Sequence, residues 1–153
     1  MNRASTARAA GTILADDNNA ECPTATQSTI QGAVAAAGAG NTKIVVCAGL
    51  YLGQVQVSSV ANLKLVAKPG AVLQPNFGPF NRPLMLVSNS TNVTVKGFTV
   101  EGENSLSTAA SMAAIQFDKS SGSILNYTIM NWHAPTYPTD RNAVGIMVSA
   151  SIM

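Results

Sequence analysis

Gln54-Val55-Gln56-Val57-Ser58 is answered thirty residues later by Leu84-Met85-Leu86-Val87-Ser88, and thirty later again by Ala114-Ile115-Gln116-Phe117-Asp118. A fourth block, Gly145-Ile146-Met147-Val148-Ser149, follows at an offset of 31. Each block sets two large apolar residues two positions apart: Val55/Val57, Met85/Val87, Ile115/Phe117 and Ile146/Val148. A spacing of two puts both side chains on one face of a strand. A helical repeat would need apolar positions at i, i+3, i+4 and i+7 instead.

A second strand recurs with the first. Asn62-Leu63-Lys64-Leu65 precedes Asn92-Val93-Thr94-Val95 by 30 residues, and Ser123-Ile124-Leu125 follows Thr94-Val95-Lys96 by 29. Phe98/Val100 and Tyr127/Ile129, also 29 apart, suggest a third short strand. Three short strands cannot bury their own apolar side, so successive units must stack. The pattern predicts an all-β, right-handed parallel β-helix with rungs of about 30 residues. Val55, Val57, Leu65, Met85, Val87, Val95, Ile115, Phe117, Ile124, Ile146 and Val148 are expected to line its interior.

Ahead of the repeats, Ser28 or Thr29 can cap a helix over about 29–38 whose stripe Ile30, Ala33, Val34 and Ala37 covers the first rung, with Gly38 ending it. The expected organisation is an N-terminal extension over 1–21 and a β-helix domain over 22–153. The fourth block stops short of its second strand, so the solenoid is expected to be truncated at its C-terminus. An uncovered rung promotes edge-to-edge association, and an end-to-end homodimer through that rung is expected.

Composition sets the other bounds. Apolar residues make up 46% of the 153 positions and charged residues 10%, while Ser, Thr and Asn fill 40. That excludes a disordered chain. The net charge of +2 comes from nine scattered cations, which argues against nucleic acid, and no apolar run is long enough to span a membrane. The segment 1–15 lacks the apolar stretch of a secretory signal. Cys22 and Cys47 read as a disulfide of a secreted or cell-surface protein; two buried thiols of a cytosolic protein are the other reading. With no CxxC pair, no structural zinc is expected.

Thr29-Ile30-Gln31 with Val34, Ile44-Val45-Val46-Cys47 with Gly49 and Tyr51, Val55 with Val57, Asn62 to Leu65, and Gly70 with Val72 together resemble the opening of right-handed β-helix proteins of the pectin-lyase-like superfamily. Asp16-Asp17, Cys22-Pro23 and Cys47 are similar to its secreted bacterial members. The resemblance covers nearly the whole chain and implies the fold; the superfamily holds lyases, hydrolases, esterases and adhesins, so it implies no single activity. In the pectin methylesterases a Glu stands where this chain has Gly53, and the paired catalytic aspartates have no counterpart, so esterase activity is not carried over.

The superfamily's lyases hold calcium with carboxylates and use Arg or Lys as base. No cofactor other than calcium comes into consideration. In the register above, Glu101, Glu103 and Asp118 with Lys119 are the catalytic candidates, against the reading that they are solvated surface acids. Glycoside hydrolysis would need two carboxylates at a set separation from the same few acids. Trp132, His133 and Tyr137 sit in a Pro-containing insertion, where Trp132 and Tyr137 form either a carbohydrate platform or a lid packed on the solenoid. His133 without a partner reads as an ordinary surface residue. Asn62 and Asn92, one rung apart, are expected to form an asparagine ladder bonding buried turn backbone, and three Asn-x-Ser/Thr triplets starting at Asn89, Asn92 and Asn126 read as chance. The leading functional reading is an extracellular polysaccharide-directed domain binding acidic glycans along an outer sheet face and the Trp132–Tyr137 loop, with Trp132, His133 and Tyr137 as the carbohydrate-binding candidates and lyase-like cleavage left open. The alternative is a non-catalytic structural or adhesive surface module.

Overall fold

The computed structural model describes residues 11–39, 42–76, 82–102, 112–132 and 143–150. Period-two apolar patterning drives the chain into thirteen short strands among these residues, all paired in parallel, in three sheets. The first sheet runs β1 (Thr12–Ala15), β2 (Lys43–Val46), β5 (Lys64–Ala67), β8 (Val93–Lys96), β11 (Gly122–Leu125). The second runs β3 (Gly49–Leu52), β6 (Ala71–Gln74), β9 (Thr99–Glu101), β12 (Thr128–Met130). The third runs β4 (Val55–Ser58), β7 (Met85–Ser88), β10 (Met112–Asp118), β13 (Ala143–Ser149). The chain visits the sheets in rotation, which makes a parallel β-helix, with the right hand that parallel crossovers take.

Register follows the repeats. Val55 pairs with Met85, Met85 with Ile115 and Ile115 with Ile146; Leu65 pairs with Val95 and Val95 with Ile124. These columns form the core, and a slip of one residue would turn each strand inside out. Eight of the residues expected inside, Val55 to Phe117 in chain order, are buried. Ile124 and Ile146 are half-buried and Val148 is 71% exposed. They differ because β11 and β13 are the last strands of their sheets among the described residues, so nothing stacks on their far side.

Two details of the early turns go beyond the repeat pattern. The solenoid's first strand is β1, inside the segment read as an extension before residue 22, and it pairs with β2. The turn from β2 to β5 is shorter than the 30 residues of those that follow: Lys43 pairs with Lys64 and Gly49 with Ala71, offsets of 21 and 22. Its corner between the second and third sheets needs only Gly53 and Gln54, whereas ten residues separate β6 from β7. The later length is added at that corner.

The cap helix α1 (Ile30–Ala37) forms as the pattern predicts, with Thr29 accepting from the Gly32 N–H and Ile30, Ala33, Val34 and Ala37 buried. It packs on β1, β2 and β4. Gln31 does the work of a missing neighbouring strand: its amide accepts from Gln56 N–H at 2.7 Å and donates to Gln56 O at 3.2 Å. The open edge of β4 is thereby closed at that residue.

The turns from the third sheet to the first are built on left-handed residues in register: Ser59, Asn89 and Lys119 at one position, Asn62 and Asn92 at another. Asn92 donates to the Asn62 side chain at 2.8 Å. The expected asparagine ladder is present, but both residues are exposed rather than turned to buried backbone. The buried role falls to serines: Ser90 Oγ accepts from Val60 N–H, and Ser120 Oγ from Ser90 N–H, at 3.2 and 3.0 Å. At the next corner Gly97 has φ 84, and a side chain there would stand 2.5 Å from Ala67 O.

Candidate functional site

The outer face of the third sheet carries two in-register columns, one polar and one in which amides alternate with apolar residues. Ser58, Ser88, Asp118 and Ser149 form one, with the hydroxyls of Ser58 and Ser88 in contact and Ser149 donating to Asp118 Oδ1 at 2.7 Å. Gln56, Leu86, Gln116 and Met147 form the next. Asp118 is thus held by a neighbouring hydroxyl, and Lys119 beside it begins the turn.

Glu101 does not join Asp118. It ends β9 on the second sheet and pairs with Met130. Asp118 ends β10, a seven-residue strand about 20 Å long that starts from the corner Glu101 leads into. The two described members of the expected acidic cluster lie on different sheets, because the fold separates them by the width of the third. Glu103 lies outside the described residues.

Trp132 is 8% exposed and belongs to the hydrophobic core. It packs over Gly102, one turn earlier, where an added Cβ would stand 2.9 Å from Trp132 Cε3. Of the two readings of this ring, packing back on the solenoid is the one its burial matches. The sequence signal was Gly102 itself, small enough to admit an indole one turn later. His133 and Tyr137 lie outside the described residues.

The N-terminal end holds a group of acids that sequence reasoning set aside. Ligand oxygens of Asp16, Asp17 and Glu21 lie within 4.8 Å of one another, and among the described residues these are the carboxylates that could share a cation. Cys22 and Cys47, also near Asp16, are bonded to each other, with Cα atoms 6.3 Å apart, and offer no metal ligand. Asp16 is fully buried and accepts from the backbone N–H groups of Cys22 and Asn18. Burial pushes its carboxyl up, but the hydrogen bonds from Cys22, Asn18 and Asn19, with the Asp17 side chain, outweigh that and hold it below its ordinary value of 3.8. Asp17 Oδ2 accepts from Leu50 N–H at 3.1 Å, while its buried Oδ1 has no hydrogen-bond partner. Tyr51 donates to the carbonyls of Cys47 and Ala15, at 3.0 and 3.1 Å. Burial, reinforced by the charges of Asp17, Asp16 and Glu21, pushes its hydroxyl up to about 12. These bonds stitch the loop after β1 to the first full turn, a structural task.

The five-stranded sheet presents a different surface. Its outward positions, alternating with buried Ile44, Leu65 and Val95, include the exposed Lys43, Lys64 and Lys96. Lys68, just past β5, is turned aside and donates to Cys22 Sγ at 3.3 Å. No family model, curated protein or solved structure matches this chain. The parallel β-helix is therefore established by its geometry, and the pectin-lyase-like superfamily stands as a resemblance. The disulfide suits an oxidising, extracellular environment, and no described helix is long and apolar enough to cross a membrane.

Proposed function

We propose that the chain is an extracellular, polysaccharide-directed β-helix domain that binds acidic glycans along an outer sheet face. The observation that supports this reading is the set of in-register outward columns, in which the hydroxyls of Ser58 and Ser88 and the ammonium groups of Lys43 and Lys64 stand on adjacent strands about 4.8 Å apart. A rigid comb of donors suits a polymer of hydroxyls and carboxylates, because its ordering cost is already met by the fold. Binding is the activity proposed and cleavage is left open; among the described residues, Glu101 and Asp118 stand on different sheets.

The test is a panel of pectin, alginate, other uronic-acid polymers and neutral glucans, measured for binding and for absorbance of unsaturated products. Binding without product formation is expected. Product formation would make the domain a lyase, and binding to no member would leave the structural or adhesive reading in its place. That second reading draws on the exposure of Val148, which suits packing against another copy through β13. Light scattering at high concentration tests it, with a strictly monomeric species counting against the end-to-end dimer.

A further inference from the structure

The cations are scattered along the sequence, but the solenoid gathers three of them onto one face. Lys43 and Lys64 pair in register on β2 and β5. Lys96 on β8 pairs with Val66, two residues beyond Lys64. Strand spacing and rise place the Lys64 backbone about 5 Å from that of Lys43 and about 8 Å from that of Lys96. Like charges directly opposite one another destabilise a sheet, yet no ion pair among the described residues engages any of the three.

The rest of the face is as specific. One row reads Thr12, Lys43, Lys64, Thr94, Ser123, in which Ser123 Oγ lies 3.4 Å from Thr94 Oγ1. The parallel row reads Leu14, Val45, Val66, Lys96, Leu125, apolar apart from its lysine. Two cations one strand-step apart in a hydroxyl row, beside a row apolar apart from Lys96, match a flat chain with carboxylates along one edge and C–H faces beside them. Neither row carries an aromatic ring on which a nucleic-acid base could stack.

We infer that the outer face of the five-stranded sheet binds an acidic polysaccharide laid across the strands, and that the Lys43–Lys64 step selects chains bearing carboxylates on successive sugars. This rests on the glycan reading above and adds to it the face and the charge spacing. The repulsion between the two lysines is relieved when a carboxylate lies between them, so ligand and fold reinforce one another. Attraction of this kind falls as salt rises through the screening range.

The experiment measures affinity of the full chain for four probes: a homopolymeric uronate, an alternating uronate–neutral copolymer, single-stranded DNA and phosphatidylserine vesicles. The homopolymer is expected to bind tightest and to weaken with added salt. Lys43→Gln, Lys64→Gln and Lys96→Gln should each weaken it about two- to fivefold, the range of one exposed charge contact. The triple variant should lose about tenfold or more, Lys64→Arg should retain binding, and Arg82→Gln, an equal charge change at an exposed position off this face, should change it less than twofold. Circular dichroism of the triple variant should match the parent, and its urea midpoint should be equal or higher, since all three side chains are exposed and the Lys43–Lys64 repulsion is removed. Homopolymer binding that ignores the lysine variants would overturn the inference while leaving the glycan reading intact. Equal binding of the alternating copolymer, DNA or vesicles would overturn the selection by charge spacing. Failure of every polysaccharide would end both readings.

Discussion

Lys119 sits at φ 46, in the position that Asn89 occupies one turn earlier at φ 47. The left-handed region costs a residue with a Cβ roughly 1–2 kcal/mol, and Asn less than Lys because its short amide bonds locally. Lys119→Asn should therefore raise the urea midpoint, by up to about 1 kcal/mol of stability. An unchanged or lowered midpoint would show that the Lys119 stem makes contacts worth more than the backbone relief. Asp16 adds a pH dependence whose sign is set by its lowered pKa. A carboxyl held below its unfolded value contributes stability above that value, and loses it as pH falls through the folded one. Stability should fall on acidification below about pH 3.8, and Asp16→Asn should flatten that limb of the profile; a parallel decline in both proteins would place the acid sensitivity elsewhere.

Among the elements, α1 shows how a short helix closes a solenoid end. Its apolar stripe was legible from sequence because Ile30, Ala33, Val34 and Ala37 recur at helical spacing beside a Thr cap. The contribution of Gln31 was not, since an exposed glutamine carries no pattern that points to a strand 25 residues away. Gln31→Ala should cost about 1–2 kcal/mol, one net hydrogen bond for each of the two lost at β4. Hydrogen exchange at the Gln56 amide should accelerate; protection there equal to the parent's would assign the edge closure to another group.

For the whole molecule, coupling runs between neighbouring turns. The Cys22–Cys47 bond ties the loop after β1 to the end of β2. It closes a separation of 25 residues, worth about 3 kcal/mol in the chain-entropy account. Reduction should lower stability mainly over β1, α1 and β2, leaving exchange protection in β7 and β10 nearly as it was. Uniform loss of protection across all turns would mean that the solenoid unfolds as one cooperative unit.

The strand columns could be read in advance because their cause is local and repeated. Two apolar residues at a spacing of two, recurring every thirty residues, specify both which face is buried and which residue lies over which, so Val55, Met85, Ile115 and Ile146 stack as the pattern requires. The shorter turn from β2 to β5 escaped that reading because an offset of 21 residues has no second copy to align with. Outward residues were beyond it for a different reason. Lys43, Lys64 and Lys96, or Glu101 and Asp118, acquire neighbours only when turns of unequal length are wound into register, and nothing in their own local sequence encodes that. Trp132 is the sharpest case: an aromatic residue beside an insertion has equal reason to face a ligand or the core. Gly102, one turn back, has no side chain to exclude the indole, and Trp132 packs closely over it.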